Sequence, residues 1–295
     1  MFQKNVTLGI APIGWTNDDL PDLGGHIPFE QCVSEMALAG YTGTEIGNKY
    51  PKDPDVLREA LQLRGLDVAS AWFSAFLVHE RDQTEADFRA HCAFLQAMGA
   101  KVVVVSEQTN SIQQMDAPLF EAKPTYTEGE WESVVSGLHS LGAIANEVGL
   151  SLVYHHHMGT CIQTAAEVDE LMKRTDPSLV SLLYDTGHLV CSGEDELAVL
   201  DAHIERIKHV HLKDVRAEVI AETKSQGLAF LPAVREGIFT VPGDGSIDFT
   251  PVFERLSAAR YEGWLLVEAE QDPARANPLA YAQKARQYIR EKTGL

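Results

Sequence analysis

The sequence predicts an α/β fold, a (β/α)8 TIM barrel, and three observations carry that expectation. Short β-branched or apolar runs alternate with longer segments of helical period, as a parallel sheet built from βα units requires. The strand candidates number eight, the count of that barrel. Polar residues close those strands, at the end where a barrel enzyme places its chemistry. A doubly wound sheet is the alternative, but no GxGxxG turn follows the first strand.

In chain order the strand candidates are "VTLGIAP", "TGTEIG", "LDVASAW", "KVVVVSE", "SLVYHHH", "VSLLYDTGH", "IKHVHLKD" and "GWLLVEAE". Helices are expected to begin near Pro28, Asp53, Asp82, Glu128, Thr164, Glu194, Asp248 and Pro278. "DPDVLREAL" and "DFTPVFERL" give the strongest starts, each with an Asp ahead of an apolar helical stripe. Two connections are long, Gln108 to Gly129 and Val215 to Gly245, and long loops at one end of a barrel usually cover a site. With no Pro/Gly/Ser-rich linker, low-complexity tract or further repeat, residues 1–295 are expected to form one domain.

Composition excludes some partners. A net charge of -19 would repel a phosphate backbone, so nucleic acid is not expected to bind. The hydrophobic share of 45% and charged share of 23% suit a folded core rather than disorder. Cys32, Cys92, Cys161 and Cys191 form no CxxC pair and read as reduced thiols. Neither a signal-type apolar segment nor a run of about 18 apolar residues occurs, so a cytoplasmic protein without a membrane partner is expected.

The strand ends hold the chemistry: Glu45, Glu107, His155 to His157, Asp185 with His188, His209 with His211, and Glu268 with Glu270. Residues two apart on a strand share a face, so His155 and His157 converge on the barrel mouth while His156 turns away. Any one of these histidines also reads as a rim residue bonded to a carbonyl. The carboxylates argue further, because burying a carboxylate is costly without a partner or a cation. Asp, His and Glu from three strands with a histidine from a fourth make a mixed N/O set suited to manganese, cobalt or zinc. Such an ion would polarise a carbonyl and stabilise an enediolate while a side chain removes the adjacent proton. Cys161, Cys191, Trp15, Trp72 and Phe73 also fall near strand ends and are read as packing, and "PGDGSIDF" as a turn that positions the Asp248 helix start.

On these residues the chain resembles the xylose-isomerase-like barrels, which include sugar isomerases, keto-sugar epimerases and endonuclease IV. Within them, "GIAPIGWTNDDLPDLGG", "EMALAGYTGTEIGNKYPKD", "YHHHMGT", "YDTGHL", "HLKDV" and "VEAEQDP" resemble the myo-inosose-2 dehydratase family over almost the whole chain. The resemblance implies a hydro-lyase of inositol catabolism that converts 2-keto-myo-inositol (scyllo-inosose) to a trihydroxycyclohexanedione, with a manganese or cobalt ion. It also brings a glutathione requirement that no residue explains. The implied metal ligands are Asp185, His211 and Glu268, with His155 standing where related epimerases carry a glutamate. The catalytic candidates are Glu268, His155, His157 and Lys213. Glu268 could be the base if its metal bond is loose, with Lys213 and Glu270 as alternatives, and His155 or His157 is the candidate acid. His188, Glu45 and Glu270 are the candidate substrate contacts.

Losing one carboxylate argues against a two-base epimerase, yet a metal-dependent keto-sugar or ketoinositol isomerase remains the main rival. A repair nuclease would need a basic groove, and a silent polyol-binding protein has no use for a costly charged cluster. The expected partner is a small polyhydroxylated cyclic ketone, and a homo-oligomer stays open.

Overall fold

The computed structural model describes Phe2 and residues 5–295. Eight strands close into a parallel barrel: β1 (Val6–Ile10), β2 (Gly43–Ile46), β3 (Asp67–Ala75), β4 (Val102–Glu107), β5 (Ser151–His155), β6 (Val180–Asp185), β7 (Ile207–Leu212) and β10 (Gly263–Val267). They lie in chain order around the barrel, and β1 closes it by pairing with both β2 and β10. A short antiparallel ribbon, β8 (Asp214–Val215) with β9 (Phe239–Thr240), sits outside the barrel sheet. The (β/α)8 barrel expected from the sequence is the fold observed.

The helices start where local chemistry directs. Asp53 accepts the N–H groups of Asp55 and Val56 and opens α2 (Pro54–Gln62), with proline at the first turn. Thr127 and Glu130 form a capping box that opens α4 (Glu128–Glu147). The helix expected near Pro28 is α1 (Phe29–Leu38), and the next expectations are met by α3 (Arg81–Ala97) and α5 (Ala165–Arg174). Two expectations change after β6. Asp185 caps α6 (Thr186–Ser192), so the strand candidate "VSLLYDTGH" ends at Asp185 and His188 is helical; α7 (Glu196–His203) then follows. The connection from Val215 to Gly245 is not bare loop either, since it holds α8 (Ala217–Gln226), α9 (Phe230–Glu236) and β9. The chain ends through α10 (Thr250–Ala258) and α11 (Pro278–Thr293). Among the described residues no helix is long and apolar enough to cross a membrane.

Strand alternation divides the core. Tyr154, Leu182, Tyr184, Val210 and Leu212 pack outward into the layer beneath the helices, while Val104, Val153 and Leu183 fill the barrel beside Trp72. The same alternation turns His209, His211 and Asp185 inward, because Leu183 pairs in register with His209 and Asp185 with His211. Lower in the barrel the Trp264 ring packs against Gly43, where an added Cβ would lie 2.3 Å from ring carbons. Gly43→Ala is expected to lower the free energy of unfolding by about 1–3 kcal/mol through overpacking. An unchanged midpoint in urea would show that Trp264 moves aside without cost.

Candidate metal centre and active site

Three neighbouring strands and one following loop bring four side chains together. β5 ends in His155, β6 ends in Asp185, and β7 carries His211 directly opposite Asp185 in register. Beyond β10, the Glu268 N–H donates to Leu212 O at 3.2 Å and extends the pairing by one residue, which aims the carboxylate at the same point. One ligand atom from each of His155, Asp185, His211 and Glu268 lies within 4.8 Å of the others.

Three of these groups, His155, Asp185 and Glu268, have their second polar atom engaged elsewhere. His155 Nδ1–H donates to His156 O at 2.5 Å, which leaves the Nε2 lone pair facing Asp185 Oδ2 at 3.6 Å. Asp185 Oδ1 accepts the His188 N–H at 2.8 Å as cap of α6, leaving Oδ2 free. His211 turns Nε2 toward Glu45 at 3.6 Å and Nδ1 toward Asp185 at 3.7 Å, with Glu268 in contact. Glu45 is in turn held by Ser70 Oγ at 2.6 Å. Glu268 Oε1 lies 3.3 Å from Lys213 Nζ. Asp185 Oδ2, Glu268 Oε2 and the His211 ring nitrogens remain buried without a hydrogen-bond partner. A buried acceptor without a partner is costly, and a divalent cation would take Asp185 Oδ2, Glu268 Oε2 and one His211 nitrogen together. The residues therefore fit a metal of mixed N/O preference.

Charge follows burial. Burial alone would push His211 down, but Glu268 above all, with Asp185 and Glu45, holds it well above the ordinary histidine range. Lys213 is fully buried, and Glu268, Glu270 and Asp185 outweigh that burial and raise it, so it stays an ammonium. Lys213 and His211 draw Glu268 well below the carboxylate range against its burial. Glu270 goes the other way: burial raises it to about 7, against the pull of Lys213. Burial depresses His155, His188 and His209 and takes His157 to about 3, so these rings are neutral.

Beside the cluster opens a cavity of about 500 Å³ lined by Glu45, Trp72, Gln113, His157, Glu268 and Glu270, with Asp18, Asp19 and Asn48 on its wall. The Trp72 ring meets His155 and His157 edge-on at 5.4 and 5.7 Å. His157 is anchored through Nδ1 to Met158 O at 2.9 Å and touches Gln113. His155, Asp185, His188, His211 and Lys213 are not part of the lining.

Several expected residues fall elsewhere. His156 is turned from the cavity, as expected, and accepts the Asp185 N–H at 3.3 Å. His209 lies outside the four-residue cluster and groups with Glu45 and His211. Glu107, read as a mouth residue, instead accepts from Leu77 N, Thr109 and Tyr126 and ties loops together. The "PGDGSI" segment offers its N–H groups to Asp214 through Gly243, Gly245 and Ile247. Trp15 bonds Glu35, Phe73 packs on Phe88, and burial lifts the Cys161 and Cys191 thiols to about 12. Sequence reasoning missed Asp18, Asp19, Asn48 and Gln113; the polar run "TNDD" after the first strand was the available signal.

Since His211 holds its proton through neutral pH in the ion-free protein, an ion at Nδ1 must displace that proton. Manganese binding near pH 7 is expected to release about one proton, so affinity should fall about tenfold for each unit of pH lowered. Calorimetry in buffers of different ionisation enthalpy measures this; binding without proton release would place the ion elsewhere.

Comparison with known proteins adds three findings. The pattern of the xylose isomerase-like TIM barrel family matches residues 16–292. The chain is 65% identical over 298 residues to an inosose dehydratase of Geobacillus thermodenitrificans and 61% identical over 297 residues to one of Clostridium perfringens, covering 100% of both chains in each case. Among solved structures it superposes with a TM-score of 0.70 on the IOLI protein with a bound zinc atom, at 17% identity, covering 98% of each chain.

Proposed function

The chain belongs to the xylose isomerase-like TIM barrel family and, within it, to the inosose dehydratases, and on that premise we propose how its barrel mouth removes water from an inosose. It is a hydro-lyase acting on a polyhydroxylated cyclic ketone. In this reading scyllo-inosose loses one water and becomes a trihydroxycyclohexanedione. One observation carries the reading: four ligand atoms, three of them oriented by the engagement of their residue's other polar atom, converge beside a polar cavity.

His155 Nε2, Asp185 Oδ2, His211 Nδ1 and Glu268 Oε2 would hold a divalent ion, manganese or cobalt. When bound, such an ion supplies Lewis-acid polarisation of the ketone oxygen. The zinc atom of the IOLI structure supports a divalent metal in this fold.

The remaining steps belong to side chains of the cavity. His157 lines it with Nδ1 tied to Met158 O, and its other ring nitrogen takes the α-proton, an acceptor's role in place of the donor's role weighed for it from sequence. Glu270, lifted to about 7, carries a proton for part of the population at neutral pH and gives it to the departing β-hydroxyl. Lys213 Nζ, 2.9 Å behind Glu270, steadies the carboxylate once the proton has left. Glu268 would hold the ion and Lys213 does not line the cavity, so neither serves as the base. His188 packs tilted against His157 with ring centroids 3.7 Å apart and positions it, rather than touching substrate. Glu45 lines the cavity and orients His211.

The proposal treats residues 1–295 as one catalytic domain in the cytoplasm, where the four buried free thiols would remain reduced. No step of it requires glutathione, nucleic acid or a second copy of the chain.

Mass spectrometry of scyllo-inosose tests the reaction: the chelated enzyme should leave it intact, and manganese should restore loss of one water. A product of unchanged mass would favour the isomerase. His157→Gln should bind manganese normally yet lower kcat by about 10²–10⁴-fold, the usual worth of proton transfer by a positioned group. Undiminished turnover would remove His157 from the mechanism.

A further inference from the structure

A second group of ligand-type side chains adjoins the first. One atom each from His157, His188 and Glu270 lies within 4.8 Å of the others, and all three residues are buried. Lys213 Nζ stands among them, 2.9 Å from His188 Nε2, 2.9 Å from Glu270 Oε2 and 3.3 Å from Glu268 Oε1. An ammonium has three N–H donors; here Nζ bonds His188 and stands within ion-pair distance of the two carboxylates. Its stem is accommodated with care: a Cβ at Gly187 would lie 2.5 Å from Lys213 Cγ, and the Phe239 ring covers Nζ at 4.8 Å. Glu268 joins the two groups, with Oε1 toward Lys213 and Oε2 toward His211.

We infer that Lys213 is the resident cation of a second cation site, whose ligands His157, His188, Glu270 and Glu268 would otherwise take a divalent metal. The inference rests on the single-ion reading of the first cluster and adds to it. Carboxylates packed this closely need two positive centres, because one ion at the first cluster leaves Glu270 and the outer oxygen of Glu268 without a partner. The chain supplies the second centre itself, as a tethered charge that can neither dissociate nor be chelated. The native protein therefore takes one divalent ion where its geometry offers room for two. Removing the ammonium leaves two imidazoles and two carboxylate oxygens around a vacated volume, a donor set of the same kind as the first. Glu268 then becomes a carboxylate shared between two ions.

Native mass spectrometry with manganese chloride counts the ions directly. The wild type should bind one, Lys213→Ala two, Lys213→Arg one, and Lys213→Ala combined with Glu270→Ala one. A Lys213→Ala protein that stays at one ion while the wild type holds one overturns this inference alone. A wild type that binds two overturns it as well, and a wild type that binds none overturns the single-ion reading beneath it. Should Lys213→Ala fail to fold without metal, refolding in excess manganese decides the matter, since an ion that binds only the folded chain stabilises it. Recovery with two ions bound supports the inference, and failure to recover overturns it.

Discussion

Three carboxylates, those of Asp185, Glu268 and Glu270, are buried around one point of the barrel mouth, and the rest of the site follows from how that negative charge is balanced. An isolated buried carboxylate would be protonated or would destabilise the fold by several kcal/mol. Lys213 balances part of the charge from within the chain. The remainder raises the proton affinity of His211 and leaves acceptors without partners, which is the electrostatic description of a site built to receive a cation. Glu270 records the same competition, because burial outweighs Lys213 and lifts it to about 7, into the range useful for acid–base work.

The barrel makes such a concentration of charge possible. Parallel register sets Asp185 opposite His211, and β-alternation turns both inward while their neighbours Tyr184 and Leu212 anchor the outer layer. The loops then close the wall. Lys49 Nζ donates to the carbonyls of Gly24, Gly25 and Ile27, fixing the segment after β1, and Gln114 reaches across to Asp19 at 2.8 Å. These contacts hold Asp18 and Asp19 beside the cavity, where hydrogen-bond acceptors suit a substrate rich in hydroxyl groups.

Much of this was legible in the sequence, because strand alternation is a local rule. "YHHH", "YDTGH", "HLKD" and "VEAE" told which residues share a face, and the structure gathers His155, Asp185, His211 and Glu268 as that rule implies. What stayed hidden depended on distant partners. Glu107 looked like a mouth residue because its strand ends there; its bonds to Leu77 and Tyr126 come from other segments of the chain, beside one from Thr109 two residues on. The α6 helix was missed because Asp185 reads equally well as a strand tip and as an N-cap, and here it serves as both. Lys213 was weighed from sequence as an alternative base to Glu268, while its burial among three carboxylates and a histidine could emerge only from the closed barrel.

The central claim is that His155 and His211, through one nitrogen each, join Asp185 and Glu268 around a single divalent ion. Pulsed electron paramagnetic resonance of the protein loaded with one equivalent of manganese reads the coordinated imidazoles directly. The account predicts nitrogen couplings from two histidines, reduced to one in His155→Gln. A spectrum without imidazole couplings, or one unchanged by that substitution, would contradict it.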